Sequence, residues 1–128
     1  MGDEIVHLVA CGMNQQKSGS WPAKELYTSK RFPSTRDDLN RSGQTWFILS
    51  TAHGLIAPND LKDPYDKSLD SFDRPSALAW AQQVRDKLLT LKLPPKEVIF
   101  HDTSKFRQVL SAPLSDLLQK QGMTIRQG

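Results

Sequence analysis

Alternating strand and helix signals along 128 residues predict an α/β domain built on a mostly parallel sheet. Three observations carry that expectation. Short apolar runs rich in β-formers occur at residues 5–11, 45–49 and 97–100. A helical period separates the last two, with Leu78, Ala81, Val84, Leu88 and Leu91 recurring at steps of three and four. No linker, internal repeat or low-complexity tract divides the chain.

The elements follow in order. Ile5 to Cys11 reads as a buried strand and leads into the polar loop Gly12 to Ser20. Pro22 suits the first turn of a helix from Ala23, with Ser20 as its cap and Leu26 and Tyr27 on its buried side. Pro33 is expected to break that helix, and Ser34 to cap a short second one over Arg36 to Asn40. Thr45 to Leu49 is the second strand. Phe72 to Ser76 starts the long amphipathic helix, which Leu93-Pro94-Pro95 ends. Glu97 to Phe100 is the third strand. A helix over Ser104 to Leu110 restarts at Pro113 and closes at Gly122, and Met123 to Ile125 is a fourth, short strand. Parallel strands need crossover helices, so this order predicts a Rossmann-like, three-layer single domain over residues 1–128 with a four-stranded sheet.

Composition narrows the class. Apolar residues make up 38% and charged residues 24%, ordinary for a globular chain. No apolar run is long enough to span a bilayer, and the amino terminus lacks a secretory leader's pattern. A lone cysteine, Cys11, forms no intrachain disulfide, so a cytoplasmic, reducing setting is expected. The net charge of +3 permits an anionic partner. Lys17, Lys24, Lys30, Arg31, Arg36 and Arg41 crowd one region, as a solvated helix face or a phosphate-contacting one. One cysteine and three scattered histidines offer no metal-ligand spacing, and no cofactor is expected.

Ligands of open α/β sheets sit outside the carboxyl ends of the strands. Here all three ends turn polar: Cys11-Gly12-Met13-Asn14, Ser50-Thr51-Ala52-His53-Gly54 and His101-Asp102-Thr103-Ser104. Together they suggest the floor of a cleft. His53 follows a strand end and precedes glycine, a placement for acid–base chemistry or ligand hydrogen bonding, or for pinning the loop. Asp66 would orient water or stabilise a cationic sugar, and Tyr65 would stack on a ring; the pair would equally form a proline-containing turn. Gly12 and Gly54 admit close backbone approach or a turn. Asn14, Ser50, Ser104 and Lys17 complete the candidate binding set. Cys11 fits a small core residue better than a nucleophile.

Several stretches resemble a family of small bacterial and phage domains of uncharacterised function. They are Cys11-Gly12, the A-x-x-L-Y-x-S-x-x-F run from Ala23 to Phe32, the W-x-I-L-S-x-x-x-G-L-x-x-P run from Trp46 to Pro58, and P-Y-D-x-x-L from Pro64 to Leu69. More distantly the chain resembles the YaaA-type peroxide-stress proteins and uracil-DNA-glycosylase-like domains. That resemblance implies a base-processing enzyme acting on nucleic acid or a nucleotide, an N-glycosidase or base-exchange hydrolase, with Asp66 and His53 catalytic. A non-catalytic nucleic-acid or nucleotide binder, and a phage- or defence-related protein-interaction module, are the rival expectations. The chain departs from the pattern in three places. Met13, Asn14 and Gln15 follow Cys11-Gly12 where a lysine is usual, leaving Lys17 as the substitute. Thr51 stands where alanine is usual. The segment from His101 to Phe106 replaces an A-G-x-x-Y pattern. The echo of the glycosylase D-P-Y-H motif in Asp63 to Asp66 follows the second strand, not the first, and is set aside as coincidence.

Overall fold

A computed structural model describes residues 5–11, 15–28, 32–91 and 95–128. Its centre is a five-stranded sheet in the order β4-β3-β1-β6-β7. The strands are β1 (Ile5–Ala10), β3 (Trp46–Ser50), β4 (Gly54–Ile56), β6 (Glu97–His101) and β7 (Thr124–Gln127). Pairings β1–β3, β1–β6 and β6–β7 are parallel. The expected parallel strands are all present, and the fifth, β4, is an antiparallel edge strand that returns beside β3. Its turn needs Gly54, whose φ of 72° lies in the left-handed region. A separate ribbon pairs β2 (Trp21–Pro22) with β5 (Leu61–Lys62).

The two sheet faces carry different cores. Val6, Leu8, Leu49, Val98 and Phe100 pack on one face against helix α3 (Arg74–Leu89) and the final helical stretch. Val9, Trp46, Ile48 and Ile56 pack on the other against Leu26, Tyr27, Phe32 and Leu39. Among the described residues, the second core takes none from β6 or β7. Alternation along β1 explains the split, because successive side chains point to opposite faces.

Helix boundaries differ from expectation for local reasons. Helix α1 is only Ala23–Leu26, preceded by strand residues rather than a cap, and Tyr27 leaves it to bridge with Gln15. Helix α2 (Phe32–Ser42) runs straight through Pro33. A proline in the first turn breaks no hydrogen bond, so it starts this helix instead of stopping one. Asp73 and Ser76 form a reciprocal capping box on α3. The buried face of α3 includes Ala77, Trp80, Ala81, Val84 and Leu88, whereas Leu78 is 42% exposed. Trp80 takes the expected place of Leu78 because its indole reaches across to the sheet. After β6, α4 (Ser104–Phe106) and α5 (Ala112–Lys120) are joined without a break by a π-helical turn over Arg107–Ser111. The widened turn, in which Ala112 N–H reaches Arg107 O, carries the chain past Pro113 without the restart expected there.

Candidate functional site

Because β1, β3 and β6 are parallel, Cys11, Ser50-Thr51 and His101-Asp102 lie at one edge of the sheet, as the sequence predicts. The chain adds β3 and β4 on one side of β1 and then β6 and β7 on the other, so the strand order reverses between β1 and β6, where open α/β sheets bind ligands. The segment from Asp63 to Ser71 runs along this edge. It is tied near β3 by Thr51, whose hydroxyl donates to Lys67 O at 2.7 Å, and near α4 by an Asp70–Lys105 ion pair at 2.8 Å. Thr51, where the resembled pattern carries alanine, therefore holds this segment down.

At the β3 end four polar groups interlock. Ser50 is fully buried, and its hydroxyl donates to Tyr65 Oη at 2.8 Å while accepting from His53 N–H at 3.1 Å. Tyr65 Oη also shares a 2.7 Å hydrogen bond with Tyr27 Oη. Gln15 grips the Tyr65 backbone on both sides, its amide donating to Tyr65 O at 3.1 Å and its carbonyl accepting from Tyr65 N–H at 3.0 Å. The His53 ring stands edge-on to Tyr65, with centroids 5.1 Å apart. Below, the Trp80 indole donates to Ser50 O at 2.8 Å, joining α3 to this cluster.

Burial sets the protonation of these groups. It pushes the Tyr27 hydroxyl up to about 12, helped by neighbouring Cys11. Burial, then Cys11 and Tyr27, pushes Tyr65 further still. The Cys11 thiol is also raised by burial. All three therefore stay neutral near pH 7, and Cys11 acts as no thiolate nucleophile. His53 moves below its ordinary value, through burial first and then the nearby cations Lys62 and Lys87. It is a neutral imidazole that can both donate and accept. His53 also opens onto a groove of about 440 Å³ between β4 and α3, lined by Leu55, Gln83, Asp86, Lys87 and Thr90.

The expected residues divide accordingly. Ser50, His53, Gly54 and Tyr65 come together. Gly54 serves the turn, since a Cβ there would meet only Val84 at an ordinary 3.5 Å. Asp66 follows Tyr65, exposed and without a hydrogen-bond or ion-pair partner among the described residues. Lys17 is exposed in the loop after β1. Ser104 is exposed at the start of α4, where Thr103 supplies the cap to Phe106 N–H, and no hydrogen bond joins it to the Ser50 cluster. Gly12 and Asn14, with Lys30 and Arg31 of the basic run, lie outside the described residues. Gln15, Tyr27 and Trp80 were missed. Tyr27 alone carried a signal, as the tyrosine of the A-x-x-L-Y pattern. Among the described residues no three His, Cys, Asp or Glu side chains gather to hold a metal ion, and no helix is long and apolar enough to cross a membrane.

Comparison with known proteins agrees with the uncharacterised nature of the resemblance. A family model described as a family of unknown function (DUF6884) matches residues 6–127. No curated protein and no solved structure matches the chain.

Proposed function

Given that the chain belongs to the DUF6884 family of unknown function, we propose that it processes the bases of nucleic acid or nucleotides, as an N-glycosidase or base-exchange enzyme. One observation carries the reading. At the carboxyl edge of a parallel sheet, the neutral His53 ring stands edge-on to Tyr65 over a buried hydroxyl cluster, and the exposed Asp66 carboxylate directly follows Tyr65 in the chain. Breaking an N-glycosidic bond requires stabilisation of a cationic sugar, a held water and contacts to the departing base. The Asp66 carboxylate supplies the first two. His53 hydrogen-bonds the base or an adjacent phosphate. Tyr65, whose hydroxyl is turned inward to Ser50 and Tyr27, sets the position of both neighbours and offers only its ring to a base. The wider reading follows the distant likeness to YaaA-type and glycosylase-like domains, a Rossmann-like three-layer arrangement and a cytoplasmic setting.

The test is release of free base from DNA, RNA and nucleotides carrying ordinary and modified bases. Turnover of at least one substrate is expected, falling about 10²- to 10³-fold in Asp66→Asn and His53→Ala. No release across the panel removes the enzyme reading. A second reading, a binding domain without chemistry, is favoured by the exposure of Asp66 and by the absence of a described partner to orient it. It predicts oligonucleotide or nucleotide affinity that changes only modestly in Asp66→Asn.

A further inference from the structure

We infer that the groove between β4 and α3 is an anion subsite, in which Lys87 holds a phosphate group and His53 and Gln83 hydrogen-bond to it, with Lys62 adding its charge from nearby. The inference deepens the reading above and rests on it only in taking the ligand to be nucleotide-like.

Four features of the groove support this. Its volume of about 440 Å³ falls in the range of small-ligand sites. Gln83 and Lys87 stand four residues apart, so one face of α3 presents them together, while the Thr90 hydroxyl donates instead to Lys87 O at 2.7 Å. Asp86, the one acidic side chain lining the groove, is paired with Arg85 at 2.9 Å. Lys87 donates one hydrogen bond, to Leu55 O at 2.9 Å, which leaves its full charge and two further N–H groups. No carboxylate pairs with Lys87 or Lys62 among the described residues.

The groups facing His53 are Lys62, Lys87 and the neutral Tyr65 ring, and the exposed Asp86 carboxylate, ion-paired with Arg85, shares the groove with it. The negative end of the α3 dipole opposes an anion here, and Lys87 in the last turn counters it. Lys87 also covers the outer carbonyl of the edge strand, which directs the groove toward a small charged group and away from an added β-strand.

The experiment follows the His53 imidazole by NMR during titration with pyrophosphate, a nucleoside monophosphate and a single-stranded oligonucleotide. Saturable shifts are expected, with the His53 pKa rising because a bound phosphate cancels the field of the two lysines. Lys87→Gln should weaken binding about tenfold, and Lys62→Gln, which removes a nearby charge outside the lining, by a smaller factor. Lys120→Gln, at the far end of α5, removes the same charge and should change nothing. If the source of the phosphate is a nucleic-acid backbone, the oligonucleotide binds tightest and its salt slope falls by about one per lysine removed. If it is a free nucleotide, the monophosphate suffices and the longer strand adds nothing.

An unresponsive His53 in the folded protein with all three probes overturns the inference. So does equal behaviour of Lys87→Gln, Lys62→Gln and Lys120→Gln. Base release that ignores both lysines sinks the subsite and spares the enzyme reading. Phosphate binding without base release does the reverse.

Discussion

Tyr65 organises the site at the scale of single residues. Its hydroxyl is shared between Ser50 and Tyr27, its backbone is clamped by Gln15, and its ring supports His53. Tyr65→Phe keeps the ring but strips both hydroxyl neighbours of a partner. It should cost about 1–3 kcal/mol of stability, read by denaturant unfolding. Tyr27→Phe removes the same 2.7 Å bond, so the double substitution should cost clearly less than the two singles added. Additive losses would mean that the two hydroxyls do not act as one unit. At this scale the sequence was partly legible. The polar run Ser50 to Gly54 marks a strand end by itself. The meeting of Tyr27 with Tyr65 does not, because those residues are 38 apart and no local period relates them.

Among the elements, α3 joins the larger core to the site. Its start was legible, since Asp73 and Ser76 flank a proline at the spacing of a capping box. Its orientation was not, because Leu78 and Trp80 are both apolar and the helical period alone does not choose between them. The Trp80 hydrogen bond to Ser50 O chooses. Trp80→Phe leaves that buried carbonyl without its donor and opens a small void. A loss of about 2–4 kcal/mol is expected in thermal or denaturant unfolding, with His53 resonances shifted as well. A stability loss with the His53 signals unchanged would show that α3 does not position the site. Strand β4 was missed for a different reason. Three residues are too few to display an alternation, and Gly54 reads as an ordinary loop glycine until β3 lies beside it.

The whole molecule should lose stability as pH falls. His53, His7 and His101 all lie below the ordinary histidine value, chiefly through burial. His7 Nδ1 and His101 Nε2 share a 2.8 Å hydrogen bond on adjacent strands, and the His7 charge further disfavours protonation of His101. The folded chain therefore binds fewer protons than the unfolded chain around the ordinary histidine value of 6.5. Stability is full above that value and declines as pH drops through the folded-state pKa values. Melting temperature measured from about pH 7.5 to pH 5 should fall, and His101→Gln should flatten the slope. A melting temperature that rises toward acid pH would contradict the burial of these rings.

The sequence by itself determined the order of β1, β3, α3 and β6 and the alternation or period that gives each a buried face, though not that Trp80 rather than Leu78 fills it on α3. Those properties follow from a period of two or of about 3.6 residues, which neighbouring positions carry among themselves. Only the tertiary structure decided that Gln15, Tyr27, Ser50 and Tyr65 share one cluster, that Ser104 stands apart from it, and that His53 opens toward Lys87. Such meetings depend on which strands become neighbours and where each crossover returns, and packing of the complete chain selects both.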